Sequence, residues 1–153
     1  TVAGQEPAPE HVLAILASDP EAEVRAAVAY NDYASPDVQA MLAGDPAEAV
    51  RRSLAARIVA LDAGALELLV VDPAPSVRAE LAANYRTPLA VVSWLASDTV
   101  ASVRECVAAR EELPLDLLVR LAADPEPAVR EAVIVNPACS DDLLTLLAND
   151  PVE

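Results

Sequence analysis

Five times in this chain an Asp, usually followed by Pro, stands five residues before a Val-Arg pair. The copies run Asp19 to Val24-Arg25, Asp45 to Val50-Arg51, Asp72 to Val77-Arg78, Asp98 to Val103-Arg104 and Asp124 to Val129-Arg130. They are spaced by 26, 27, 26 and 26 residues, and a sixth Asp-Pro opens at Asp150. Self-similarity at a fixed period of this length is the mark of a solenoid, whose small units each bury their apolar face only against their neighbours.

The phrase reads as a helix start. An Asp accepts hydrogen bonds from free backbone N–H groups as an N-cap, and Pro at the first helical position loses a donor that had no partner. From the Asp, apolar residues fall at the fifth following position (Val24, Val50, Val77, Val103, Val129) and at the ninth (Val28, Leu54, Leu81, Val107, Val133). That spacing is one face of a helix. At the twelfth position Asn31, Asn84 and Asn136 alternate with Arg57 and Arg110. Asn tolerates a left-handed helix end and Arg suits the negative end of the helix dipole.

A second helix follows, opening at Ser35-Pro36, Thr87-Pro88, Leu113-Pro114 and Ser140-Asp141. Its apolar sets are Val38, Met41, Leu42; Val91, Trp94, Leu95; Leu117, Leu118, Leu121; and Leu143, Leu144, Leu147, with Trp94 read as core. The expected fold is all-α: an α-solenoid of about five two-helix repeats. Residues 1–18 form an N-terminal half-repeat, followed by repeats at 19–44, 45–71, 72–97, 98–123 and 124–149 and by the start of a truncated repeat at 150–153, all in one solenoid domain. The second unit, with 27 residues and Leu61-Asp62-Ala63-Gly64 at its middle, departs from the pattern. Solenoids need polar caps, and a chain running from Thr1 to Glu153 is expected to be a piece of a longer protein or one capped by a partner.

These residues resemble the leucine-rich repeat variant family, in which Asp-Pro, a spacer, Val-Arg and an apolar helix lead to Asn-Pro and a Leu-Leu-x-Leu-rich second helix. The run from Asp124 to Asn149 is similar to that pattern throughout, and the phrase overlaps HEAT-like repeats. The resemblance implies α-helices alternating with short α or 3₁₀ helices in a right-handed superhelix. The family's founding type carries a cysteine-rich iron–sulfur module. This chain has only Cys106 and Cys139, at non-equivalent repeat positions, so no cofactor is expected.

Composition narrows the role. The hydrophobic share is 54% with 3% aromatic and no Phe, so the core is built from Ala, Val and Leu. No run of about 18 apolar residues suits a bilayer, and the chain shows no signal-peptide pattern, so no membrane role is expected. Unpaired cysteines fit a reducing compartment and a cytoplasmic protein. All ten basic residues are Arg, the bias of a GC-rich bacterial gene.

The repeated Arg25, Arg51, Arg78, Arg104 and Arg130 pose a choice between an anion-binding stripe and an internal ladder with Asp19, Asp45, Asp72, Asp98 and Asp124. The ladder is favoured, because a planar guanidinium bridges carboxylates or helix-end carbonyls of adjacent repeats. Setting five such pairs aside leaves five Arg facing twenty acids, with a net charge of −15. Such a surface repels phosphate backbones and anionic membranes, so no nucleic acid partner is expected. A basic peptide or protein is the natural complement, although the acids also serve simply to solvate the surface and to favour helix starts.

Tyr30, Tyr33 and Tyr85 fall at or just beyond first-helix ends, with Arg57 at a first-helix end of the intervening repeat and Arg86 next to Tyr85. Together with Glu111 and Glu112 they are candidate partner-binding residues on the edge of inter-helix turns, the alternative for a Tyr being to cover the adjacent core. No nucleophile motif, glycine-rich phosphate loop or metal-ligand spacing is present, and His11 is the only histidine. The expected function is non-catalytic: an interaction module offering an acidic surface to a basic protein or peptide. The alternative is a structural spacer that stacks on further repeats or self-associates.

Overall fold

The computed structural model describes residues 8–56, 61–139 and 145. It is all helical there, and the chain divides into two compact units, Thr1–Val77 and Arg78–Glu153, with the boundary inside one helix. The first unit holds α1 (Glu10–Leu16), α2 (Ala22–Ala29), α3 (Pro36–Ala43), α4 (Glu48–Ala56) and α5 (Ala63–Val70). Helix α6 (Pro75–Ala83) runs through the boundary. The second unit continues with α7 (Leu89–Leu95), α8 (Ala101–Ala108), α9 (Leu115–Ala122) and α10 (Pro127–Ile134). Leu143, Leu144, Leu147 and Asp150 lie outside the described residues.

Helices of seven to nine residues are too short to persist alone in water, so stacking must hold them. In the first unit α2 packs on α4 and α3 on α5; in the second, α8 packs on α10, and α9 packs on both. The Val positions of the repeat phrase lie at the centre: Val50, Val77, Val103 and Val129 are fully buried. Beside them Ala55, Ala82 and Ala108, also fully buried, let neighbouring first helices approach closely.

The Asp of each phrase does not cap the helix directly. Every first helix starts three residues later, at Ala22, Glu48, Pro75, Ala101 and Pro127. The carboxylate instead closes a turn, accepting the N–H two residues on: Glu21 to Asp19 at 2.9 Å, Ala47 to Asp45 at 2.8 Å, Ala74 to Asp72 at 2.9 Å, Val100 to Asp98 at 2.8 Å and Glu126 to Asp124 at 2.9 Å. The reason is local. The preceding second helix tightens into an i→i−3 bond at its end, such as Asp45 N–H to Leu42 O at 3.2 Å, and a turn is needed before the chain reverses. The left-handed helix ends expected at Asn are also absent, since no described residue has positive φ.

The first four Arg of the phrase reach forward to the next repeat's Asp. Nε of Arg25, Arg51, Arg78 and Arg104 lies 2.6, 2.6, 2.7 and 2.6 Å from Oδ2 of Asp45, Asp72, Asp98 and Asp124. Nη2 completes the fork on Oδ1 at 2.8 to 3.1 Å. Nη1 turns back, donating at 2.8, 2.8 and 2.7 Å from Arg25, Arg51 and Arg104 to the carbonyls of Asp19, Asp45 and Asp98. Arg130 makes the same backward bond, 2.6 Å to Asp124 O. Asp19 shows no such guanidinium partner among the described residues. One Arg side chain therefore ties the turns of two repeats together, with the carboxylate only 3–6% exposed.

Burial makes these joints sensitive to loss of one member, because the survivor keeps its desolvation cost. Arg104→Ala, which strands the Asp124 carboxylate, is expected to destabilise the chain by about 3 kcal/mol. Arg52→Ala, on the exposed face of α4, should stay within about 0.5 kcal/mol. Urea unfolding of both variants checks the contrast, and equal costs would remove the joint from the account.

The same joints set the acid response. The Arg25 and Arg104 forks hold the Asp45 and Asp124 carboxyls below the ordinary carboxylate range. At Asp98 burial pushes upward, but the Arg78 fork and the Val100 N–H outweigh it. A carboxyl lowered in the folded state stabilises fully above its unfolded value, about 3.9, and loses that contribution as pH falls through the lowered folded value. The urea midpoint should hold from neutrality to about pH 4 and fall below it. In Asp124→Asn the fall should be shallower.

Candidate functional site

The first-helix ends carry a second set of joints. Asn136, 4% exposed, accepts the Ala138 N–H at 2.8 Å and donates through Nδ2 to Ala108 O and Arg110 O, both at 2.6 Å. Ala108 O is the last carbonyl of α8 and Arg110 O lies just beyond it, where the helix supplies no N–H donor. One repeat earlier Arg110 does the equivalent work with a longer side chain. Its Nη1 donates to Ala82 O at 2.7 Å and Asn84 O at 2.6 Å, at the end of α6, and its Nη2 to Tyr85 O at 3.2 Å. Burial pulls the Arg110 pKa down while the Glu112 carboxylate pushes it up. Asn31 and Asn84 likewise close their turns, accepting the N–H of Tyr33 at 2.9 Å and of Arg86 at 3.0 Å.

These clamps build one edge of the second unit, and a groove of about 870 Å³ opens along it. Its lining includes Tyr85, Leu89, Arg110, Glu111, Glu112 and Leu113. Thr87 and Leu113 are buried. The Thr87 hydroxyl donates to Leu81 O at 2.7 Å, which fixes the turn leading into α7. Tyr85 is 77% exposed and stands clear of the core. Arg86 packs on it, with the guanidinium carbon 5.2 Å from the ring centre and Nε 3.0 Å from the phenol oxygen. Glu111 and Glu112 are exposed.

Of the residues nominated from sequence, the groove brings together Tyr85, Glu111 and Glu112, with Arg86 held against Tyr85. Tyr30 and Tyr33 belong to the first unit, where both are exposed at the end of α2. Arg57 lies outside the described residues. The ladder pairs, from Arg25–Asp45 to Arg104–Asp124, sit in the repeat joints with their guanidinium forks engaged. Trp94, read as core, is instead 52% exposed. A seven-residue helix buries one narrow stripe, here Val92 and Leu95, and Trp94 falls off that stripe.

Reasoning from sequence missed Arg110, Thr87 and Leu113. The alternation of Asn and Arg at the twelfth position was the available signal, since both side chains donate to carbonyls. Among the described residues no group of three or more His, Cys, Asp or Glu is placed to hold a metal ion, and no helix is long and apolar enough to cross a membrane.

The helices, the repeated joints and the edge groove define a helical-repeat protein. No family model matches the chain, and no curated protein matches it. Among solved structures it is similar to one described as "A leucine-rich repeat variant with a novel repetitive protein structural motif". The two are 24% identical, with 93% of this chain and 71% of that chain covered and a TM-score of 0.42.

The clamp can be tested by its donor. Asn136→Asp keeps the acceptor for Ala138 but replaces both donors with a charge facing two carbonyls, so it should destabilise at least as much as Asn136→Ala, about 1–3 kcal/mol. Thermal unfolding at neutral pH measures both. A neutral Asn136→Asp would show that the side-chain amide does not hold the helix end.

Proposed function

We propose that the chain is a non-catalytic binding module whose second unit takes a short basic peptide segment in the edge groove. The observation that carries this reading is the groove lining itself, where an exposed aromatic and apolar side chains stand next to two exposed carboxylates. Leu89 and the Tyr85 ring offer surface to an apolar side chain, and the phenol is an anchor of the kind that dominates binding energy. Glu111 and Glu112 attract a neighbouring Arg or Lys. In a chain of net charge −15 the surrounding field steers a cation inward and raises the rate of encounter.

The frame suits the task. Both turns that form the groove are pinned by side-chain bonds, from Arg110, from Asn136 and from Thr87. A groove held in shape before binding loses little conformational freedom when occupied. The Arg110 guanidinium donates to three carbonyls, which makes it part of the frame and leaves the two Glu as the groups that select for charge.

A capped tetrapeptide with Leu followed by Arg should bind, and its Leu-Glu counterpart should not. Calorimetric titration in about 50 mM and about 500 mM NaCl should show affinity falling with salt, since exposed charges are screened. Glu111→Gln with Glu112→Gln should weaken the Leu-Arg peptide about tenfold or more. Equal binding of the two peptides, or binding indifferent to salt and to both substitutions, would overturn the proposal.

A further inference from the structure

The second helices of the second unit leave large apolar side chains uncovered. Leu89 and Trp94 on α7 are 51% and 52% exposed, and Leu115 and Val119 on α9 are 60% and 40% exposed. Two links join the helices. Leu89 and Pro114, at their starts, line the same groove, and further along Arg120 of α9 donates through Nη2 to Ser93 O of α7 at 3.0 Å. Leu115 and Val119 are four residues apart and share one face of α9. Trp94 follows the residue that Arg120 grips. Leu89 belongs both to the groove and to this uncovered face.

Charge is distributed unevenly around the face. Glu111, Glu112 and Asp116, all exposed, stand at its groove end, before α9 and in its first turn, while Arg120 lies in the last turn of that helix. Exposed large apolar side chains beside a polar rim mark a contact site. A second copy of the chain fits this one less well than a basic partner, since each copy brings a net charge of −15 to the contact. An added β-strand has no edge to join among the described residues, which are all helical.

We infer that the partner of this site is a basic amphipathic α-helix, an inference that rests on the groove reading above. Its apolar stripe covers Leu115, Val119 and Trp94, with side chains at three- and four-residue spacing set against the α7 and α9 surfaces. Its basic residues gather at one end, over Glu111, Glu112 and Asp116, so that the segment entering the groove is the continuation of the helix.

Trp94 is the only tryptophan and reports directly. The probe is an amphipathic Leu/Lys peptide of about fourteen residues, roughly four helical turns, beside a scrambled peptide of the same composition and the Leu-Arg tetrapeptide. The amphipathic peptide should shift Trp94 emission to the blue, gain helical circular dichroism on binding, and bind about tenfold or more tightly than the scrambled one. Leu115→Asp and Val119→Asp alter exposed side chains outside the groove. They should weaken the amphipathic peptide about tenfold and leave the tetrapeptide unchanged. If neither substitution weakens the amphipathic peptide, or if it binds no better than its scrambled form while the tetrapeptide still binds, the helical partner is wrong and the groove reading stands. If no peptide binds, both fail.

Discussion

The Arg–Asp joint between consecutive repeats is the interaction on which the structure depends. The guanidinium of Arg25, Arg51 and Arg104 makes a two-toothed contact with the next repeat's carboxylate and a backward contact with its own repeat's turn. Each carboxylate also closes its turn by accepting an N–H two residues on. Arg is suited to this because its fork is planar and carries five donors in fixed directions, whereas a Lys ammonium is a point charge that cannot hold both oxygens and a carbonyl in one geometry. Because the carboxylates are buried, a joint that slips by one residue strands a charge. Burial of the intervening Val and Ala residues supplies the attraction, and the joint sets the register in which they meet.

The twelfth-position clamps do at the other end of the first helices what the Arg–Asp joints do at their starts. Asn136 and Arg110 hold the last carbonyls of the preceding first helix, so helix ends that would otherwise need water are tied to the next repeat. Short helices with both ends held in this way form a firm edge. The groove of the second unit lies on that edge, which is why its walls are largely turn residues while its frame is side-chain bonding to backbone carbonyls. The side chains proposed to bind a partner thus sit largely on loops supported by a repeated scaffold.

Much of the helix pattern was legible in the repeat phrase, because the Val spacing is fixed by the helix period and by burial at the centre of the stack. The Asp was misread as a helix cap for a physical reason. A carboxylate closing an Asp-Pro turn and a carboxylate capping a helix both accept an N–H two or three residues on, and the letters are the same. Asn at first-helix ends suggested a left-handed cap, yet the Asn136 amide serves the neighbouring repeat, a long-range role that local propensity does not report. Trp94 lay beyond pattern reasoning because a helix of two turns has too few residues to define its buried face. The groove was legible in its rim, where Tyr85, Glu111 and Glu112 follow first-helix ends, and not in its frame, which needs Thr87 and Arg110 from different repeats.

The most direct test of the account is the location of ligand contact on the labelled chain. Backbone amide shifts recorded during titration with the capped Leu-Arg tetrapeptide should change at Tyr85 to Val92 and at Ala109 to Leu113, the turn segments that line the groove, with α8 and the first unit silent. Changes spread evenly over the acidic surface, or centred on the Tyr30–Tyr33 turn, would contradict it: the binding would then follow net charge or another edge and owe nothing to the groove.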